Sequence, residues 1–303
     1  MPGSIRGCAI ASSASEIPAA QLGRRRRSAL RRLLAEPLGV IGLVLVVAVL
    51  LVAIFAPLVA LHNPIALAPI DRFLPPSKEH LLGTDHLGRG LFARVVYGSR
   101  IALSVSLGAT LLSLLLGVTT GLVAGYGPRW LDNALLLVFD ALKSFPTVML
   151  ALALVTLVGP SLDAVILVVI ISAAPSYARM ARTQTLSVRH AEFVLAERSL
   201  GAGPGRIIAT HILPNIIGPI LIVASMDIPV VVAIEAGMSF LGLGVRPPTP
   251  SWGSILNDGF SYIRESPWPV ISGGLPSVIT TLGFTFLGEA LRDTFDPKRA
   301  GSR

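Results

Sequence analysis

The chain alternates between long apolar runs and short polar connections, a pattern typical of a protein that crosses a membrane several times. A bilayer core about 30 Å thick needs about 20 apolar residues for each helical span. Six runs reach or approach that length, at residues 37–61, 101–126, 131–157, 162–178, 212–243 and 270–291. We therefore predict an all-α membrane protein with six transmembrane helices.

The first run could also belong to a cleaved secretory signal, because basic residues precede it at 24–27 and 31–32. The apolar part of a secretory signal is about 7–15 residues long. Residues 37–61 form a charge-free run of 25 residues, which is too long for a signal. The run is therefore predicted to be a retained first span.

The third and fifth runs have the least certain ends. Asp132, Asp140 and Lys143 interrupt the first half of the third run. Asp140 and Lys143 lie three residues apart, so an ion pair between them on one helix face is expected. The fifth run contains prolines, which disturb the backbone hydrogen bonds of a helix. They are Pro214, Pro219 and Pro229.

Composition supports a membrane location and excludes several other classes of protein. Only 14% of the 303 residues are charged, compared with about 25% in soluble domains. The single cysteine, Cys8, allows neither an intrachain disulfide nor a cysteine-built zinc site. The net charge of +8 is not arranged as basic residues interleaved with aromatic residues, so no nucleic-acid partner is predicted.

The distribution of basic residues sets the predicted orientation, because cytoplasmic connections of membrane proteins are rich in Lys and Arg. With the N-terminus inside, the cytoplasmic segments carry 17 Lys and Arg and the outer segments carry 7. We predict cytoplasmic tails at residues 1–36 and 292–303, an extracytoplasmic loop at 62–100, and a main transmembrane domain at 101–291.

The connection between the fourth and fifth runs predicts a short amphipathic helix over residues 191–204. Phe193, Ala196 and Leu200 share one face, and Gly201 suits the position at which a helix ends and the chain reverses. Glu192 and Glu197 lie off that face. A helix lying on the lipid surface and a helix that inserts into a groove on a partner protein both fit this pattern.

Small and acidic residues within the spans form two further sets of candidates. Gly117, Gly121 and Gly125 repeat every four residues, a spacing that allows two helices to pack closely. Asp227 and Glu235 lie within the fifth run, and acids at this depth face a bundle interior or a water-filled path. A role in a translocation path and a purely structural role remain open for both acids.

Motifs for enzymatic chemistry are absent from the sequence. It contains no GxxxxGK[ST] loop for ATP, no HExxH and no CxxC. The five histidines have no metal-ligand spacing, and His211 is interpreted as a packing or capping residue. The sequence therefore predicts no catalytic residue, no metal site and no cofactor held by this chain.

Five stretches of the chain follow known motifs, in order and in register. Before the second run, residues 82–90 resemble GTDxLGRD, and Asp140 with residues 144–146 matches DxxxSFP. The remaining stretches resemble the EAA coupling motif at 195–214, SFLGLGxxPPxPSWG at 239–253, and LRDxLDP at 291–297. Together they resemble the C-type permease subunit of binding-protein-dependent ABC importers for dipeptides, oligopeptides and nickel.

The match to the EAA motif departs from the general pattern at three positions. Leu195 replaces the motif's Glu, Glu197 replaces its second Ala, and His211 replaces its Ile. Gly201 and the pair Leu213-Pro214 follow the pattern. The N-terminal 23 residues match no part of the family.

The resemblance implies the type I ABC importer fold and a set of partners. Such permeases pair with a homologous second permease subunit in the bacterial inner membrane. They dock two cytoplasmic ATPases, which bind ATP and Mg, through the helix at 191–204, and an extracytoplasmic binding protein delivers the ligand. In this chain the expected coupling residues are Phe193, Ala196, Glu197, Leu200 and Gly201.

Three alternatives remain open at the level of sequence. Nickel or another small solute could replace peptides as the substrate, because the binding protein usually sets specificity. A secondary transporter working alone is disfavoured because the hydropathy shows no inverted repeat. A membrane-embedded enzyme would need a catalytic pair near the cytoplasmic interface, and the sequence shows none.

Overall fold

The computed structural model describes residue 34 and residues 36–295, and within these residues the chain is a helical bundle. Six segments form its main body: α1 (Pro37–Ile54), α3 (Leu91–Tyr126), α4 with α5 (Arg129–Lys143 and Thr147–Val158), α6 (Leu162–Val188), α9 (Leu213–Phe240) and α11 (Trp268–Phe295). Short helices connect them: α2 (Ala56–Val59), α7 (Glu192–Ser199), α8 (Pro204–Ile207) and α10 (Trp252–Ser261). Most of the predicted tails at 1–36 and 292–303 lies outside the described residues.

Five helical segments among the described residues are long and apolar enough to cross a membrane. They are α1, α3, α6, α11, and α8 with α9 taken together. The predicted third span is instead a pair of helices, α4 and α5, which meet at 90°. Pro146 lies between the two helices, where its ring disfavours a continuous helix.

The packing of α3 on α6 shows that α4 and α5 together cross the bundle. Gly117 lies against Tyr177, and Gly125, eight residues later, lies against Thr185. Contacts therefore advance towards the C-terminus along both helices, so α3 and α6 are parallel. The segment between two parallel helices must return the chain to the opposite end, and the bent pair is the sixth crossing.

Two helices extend about ten residues beyond the predicted spans. The second helix begins at Leu91, not at Ile101, so the loop predicted at 62–100 ends at residue 90. The fourth helix continues past Ala178 to Val188. Arginines ended the apolar runs at these places, but the helices continue through them. In the added turns Arg94, Arg179 and Arg182 bind carboxylates.

The ion pairs on α6 also correct the expected pairing of Asp140. Arg179 Nη2 lies 3.1 Å from Asp140 Oδ1, so Asp140 binds a neighbouring helix and not Lys143. Arg182 binds Asp132 through two nitrogens, with Nη2 donating to Oδ2 at 2.7 Å. These contacts hold the polar half of the bent pair, α4, against α6.

The prolines of the fifth run are accommodated within one helix. Pro214 lies in the first turn of α9, and Pro219 and Pro229 lie inside it. A turn of π-helix at Ile208–Ile212 joins α8 to α9. The fifth span therefore has an irregular entry at its N-terminal end but continues to Phe240.

The predicted outer end of the bundle is more structured than the sequence indicates. The connection at 244–269 contains α10, whose N-terminus is capped reciprocally by Ser251 and Ser254. Trp252 of α10 is buried, and its indole Nε1 donates to the carbonyl of Val95 at 3.0 Å. Gly98 on α3 makes room for this ring. As a result, α10 packs against the start of α3.

Candidate functional site

The short helix α7 lies at the end of the bundle that the sequence predicts to be cytoplasmic. Val194 is fully buried in an apolar cluster with Ile207 and Ile212. The predicted stripe faces away from the bundle: Phe193 is 45% and Leu200 83% exposed, and Ala196 is also exposed. The helix is thus anchored on one side and leaves a partly apolar face open.

The helix is shorter than the predicted range of 191–204. It ends at Ser199 because Gly201 adopts a φ of +84°, which terminates right-handed helix geometry. A separate helix begins at Pro204. The five predicted coupling residues still lie together, with Glu197 half-buried at the edge of the open face and Gly201 in the turn after it.

Two arginines fasten α7 and its preceding turn to the end of α3. Arg198 Nη2 donates to the Tyr126 hydroxyl at 3.0 Å, and the guanidinium lies 5.6 Å from the centroid of the same ring. Arg189 Nη1 donates to the carbonyl of Gly125 at 2.9 Å. Movement of α7 would therefore act on the end of α3, the helix that packs most closely against α6.

Sequence reasoning did not identify Val194, and it identified Leu195 only as a departure from the EAA motif. Val194 lies two residues before Ala196, on the opposite side of the helix, and its isolated position gave no periodic signal. Leu195 is 44% exposed and widens the apolar face. The resemblance to the EAA motif pointed to position 195, where the family has a Glu. In the structure this position carries an exposed apolar side chain.

The glycines of α3 lie at the contact with α6. A Cβ atom on Gly117 would come within 2.6 Å of both Ala174 O and Tyr177 Cβ. A Cβ on Gly125 would lie 2.7 Å from Thr185 Cβ, and one on Gly121 would collide with the carbonyl oxygen of Ala178. All three glycines thus allow α3 and α6 to approach each other closely.

The acids predicted to line a path occupy different environments. Asp227 is half-buried on α9 and accepts a hydrogen bond from Tyr177 of α6, with 2.7 Å between the hydroxyl and Oδ2. This bond links two spans. A role of Asp227 in the path stays a prediction.

Glu235, the second acid predicted to line the path, is enclosed more completely than Asp227. Glu235 is fully buried, and Oε1 accepts a hydrogen bond from the Ser239 hydroxyl at 2.8 Å. A Cβ on Gly253 of α10 would meet the carbonyl of Ala236, which shows how tightly α10 covers this turn. Glu235 is therefore enclosed within the chain, and its second carboxylate oxygen, Oε2, has no hydrogen-bond partner among the described residues. A role of Glu235 in the path stays a prediction.

Four charged residues form a buried cluster at the predicted outer end that sequence reasoning missed. Arg89 Nε lies 2.6 Å from Asp85 Oδ2, and Arg89 Nη2 lies 3.1 Å from Asp258 Oδ2. Arg94 approaches the same two oxygens at 3.6 and 3.5 Å. Asp85, Arg89 and Arg94 are each at most 6% exposed. The cluster joins the segment before α3 to α10.

Asp85, His86 and Asp258 are close enough to one another to surround a metal ion. The two carboxylates already bind Arg89 and Arg94, and Asp85 Oδ1 also accepts the backbone N–H groups of residues 87 and 89. Two guanidinium groups at this position oppose a further cation. The donor set therefore fits a protein ion-pair cluster and does not fit a metal site.

Comparison with known proteins places these features in a family. Residues 117–301 match the model of the binding-protein-dependent transport system inner membrane component, and residues 25–76 match the N-terminal transmembrane domain of oligopeptide transport permease C. The dipeptide transport system permease protein DppC of Alkalihalophilus pseudofirmus is 39% identical over 272 residues, covering 90% of each chain. The oligopeptide transport system permease protein OppC of Bacillus subtilis is 34% identical, covering 90% of this chain and 89% of the relative.

A solved structure shares the fold. An inward-facing structure of the MetNI methionine ABC transporter contains a chain with 18% identity and a TM-score of 0.56, covering 67% of this chain and 97% of that chain. At this identity the likeness concerns the fold alone. It confirms the predicted ABC importer permease fold.

The bundle of six crossings with a short exposed helix at one end defines a polytopic membrane transport subunit. The sequence matches identify one family within this class. The chain belongs to the binding-protein-dependent transport system inner membrane components, the permease subunits of ABC importers.

Proposed function

We propose that this chain is one membrane subunit of an ATP-driven importer of dipeptides or oligopeptides. Relatives named for dipeptide and oligopeptide transport align over about nine-tenths of the chain. Nickel or another small solute is the second candidate substrate. It rests only on the family's range, and no group of described residues offers a free metal-ligand set.

ATP hydrolysis belongs in this proposal to two partner ATPases, which bind ATP and Mg, while this chain is not an enzyme. The open face of α7 is the observation that carries the proposal. Val194 holds the helix on the bundle, while Phe193, Ala196 and Leu200 remain exposed. An anchored helix with an exposed apolar stripe is suited to a groove on a partner.

A second, homologous permease subunit would complete the path. α5 and α9 line an open apolar cleft of about 470 Å³, with Val148 and Ala151 on one side and Val230 and Ala233 on the other. We place the second subunit on this face and lipid on the other apolar surfaces. An extracytoplasmic binding protein would deliver the peptide at the opposite end from α7.

The experiment for this function combines assembly with transport. We expect Ala196→Asp to remove the ATPases from the purified complex and to abolish ATP-dependent uptake of a radiolabelled dipeptide in proteoliposomes. Ala196 lies at the centre of the open face, so a charged side chain there would be buried against the partner without a counter-ion. Co-purification and uptake are measured on the same preparations, with the binding protein present.

Gly205→Asp provides the matched control, because it adds the same charge on exposed α8, where a Cβ has no neighbour within 4 Å. It should retain both ATPases. Full ATPase recovery and uptake with Ala196→Asp would reject docking through α7 and favour a helix on the lipid surface. Uptake by the wild-type chain without any ATPase would instead identify a transporter that works alone.

Both termini are proposed to be cytoplasmic in the bacterial inner membrane. Six crossings place the start of α1 and the end of α11 on one side, and the excess of Lys and Arg assigns that side to the cytoplasm. With Cys8 replaced by Ser, a cysteine at exposed Glu79 should react with an impermeant thiol reagent in intact spheroplasts. A cysteine at exposed Ser187 should react only after permeabilisation, and the reverse pattern would invert the topology.

A further inference from the structure

Two positions at which the chain departs from the general EAA motif contact each other. Glu197 Oε1 on α7 lies 3.5 Å from His211 Nε2, and each side chain is 29% exposed. The ring of Phe193 lies 6.1 Å from the imidazole, tilted by 49°. In the general motif these positions are Ala and Ile, which cannot form an ion pair or a hydrogen bond.

His211 belongs to the π turn at Ile208–Ile212, through which the chain enters α9. Such turns are rare and occur often at functional sites, because the extra residue can be absorbed or released by a small change of helical register. The carbonyl of His211 accepts a hydrogen bond from Asn215 Nδ2 at 2.6 Å. The backbone of this residue is thus held by α9, while its side chain reaches α7.

The covalent connection between α7 and the π turn is poorly suited to transmit movement. Before α8 begins at Pro204 it contains Gly201, with its φ of +84°, and Gly203, and a Cβ on either would have no neighbour within 4 Å. Glycine-rich backbone in open surroundings can change conformation at little cost. The contact between Glu197 and His211 bridges this connection directly.

We propose that the contact between Glu197 and His211 carries the movement of α7 into the π turn and so into α9, the helix that lines the open cleft. Both are positioning residues, and neither needs to touch the substrate or ATP. The proposal rests on the proposed docking of ATPases on α7. It assigns to this chain a polar route from α7 into the π turn, beside the apolar cluster of Val194, Ile207 and Ile212 and the bond from Arg198 to Tyr126.

The test restores the residues of the general motif. In the reconstituted complex, Glu197→Ala and His211→Ile should each lower the amount of dipeptide imported per ATP hydrolysed, by roughly three- to tenfold. Both ATPases should still co-purify, because the exposed stripe is intact. The double variant should lose no more than either single variant, since each single change already removes the contact.

A swapped pair separates a link from two independent roles. Glu197→His combined with His211→Glu reverses the contact and should return at least half of the lost coupling. Glu192→Ala removes a carboxylate from the same helix but makes no contact with His211, so it should leave the ratio of import to hydrolysis unchanged.

Unchanged coupling in both single variants would overturn the proposal. The proposal would also be overturned if Glu197→Ala lost the ATPases during purification and the swapped pair did not restore them. Glu197 would then contact the ATPase itself. Failure of the wild-type chain to recover any ATPase would reject the proposed function instead. The two failures are therefore distinguishable on the same gels and proteoliposomes.

Discussion

Asp85→Asn is expected to lower the free energy of unfolding by about 3–5 kcal/mol, the range measured when one partner of a buried ion pair is removed. The carboxylate lies 2.6 Å from Arg89 Nε and 3.6 Å from Arg94 Nε, and Asp85 is 1% exposed. Asparagine would turn either an amide oxygen or an amide N–H towards these cations and would leave them with one shared carboxylate, that of Asp258. The substituted cluster would carry a net positive charge away from water.

The energy can be measured by equilibrium unfolding of the purified chain from mixed micelles into sodium dodecyl sulfate. Glu79→Gln is the matched control, because Glu79 is an exposed carboxylate in the same segment and its neutralisation should cost less than about 0.5 kcal/mol. Adding Arg94→Met to Asp85→Asn makes the cluster neutral again and should recover part of the loss. An unfolding energy for Asp85→Asn equal to that of the control would show that the cluster does not stabilise the fold.

The same cluster shows where sequence reasoning stops. Asp258 lies 169 residues from Arg89 along the chain, so no local spacing could pair them. In the orientation count, Arg89 and Arg94 were basic residues on the disfavoured side of the membrane. In the structure they are neutralised inside the protein, and they therefore carry little weight in that count.

The existence and order of the spans could be predicted because apolar length alone determines which segments enter a bilayer. The ends of the spans could not be predicted in this way. A helix can continue past a charged residue when that residue binds an oppositely charged side chain. Arg182 continues α6 by binding Asp132 on α4, a residue fifty positions earlier. The break between α4 and α5 has a local cause in Pro146, but the angle of 90° between the two helices is known only from the structure.

At α7 the helix is shorter than predicted, and the side chains of the predicted stripe are exposed. Helical periodicity places Phe193 and Ala196 together whatever the rest of the chain does. The anchoring of the helix depends on Val194, whose burial requires Ile207 and Ile212 from the following segment. Similarly, the contact between Glu197 and His211 depends on the π turn, which has no recognised sequence signature.

The spacing of Gly117, Gly121 and Gly125, by contrast, predicts close helix packing from sequence alone, and the structure supplies the partner helix and the atoms involved. At Gly121, a methyl group would collide with the carbonyl oxygen of Ala178 and lie 2.8 Å from Ala181 Cβ. The obstructing atoms are backbone and Cβ atoms, which cannot rotate away. The two parallel helices would have to separate to admit the methyl group.

We therefore expect Gly121→Ala to destabilise the chain by about 1–3 kcal/mol, the usual cost of adding volume to a tightly packed contact. Gly108→Ala on the same helix is the matched control, because its Cβ would have no neighbour within 4 Å. There the intrinsic helix preference of alanine over glycine should make the change neutral or stabilising by up to about 1 kcal/mol. Unfolding in sodium dodecyl sulfate should give opposite signs for the two variants. Equal unfolding energies would show that the contact between α3 and α6 is not as close as the structure places it.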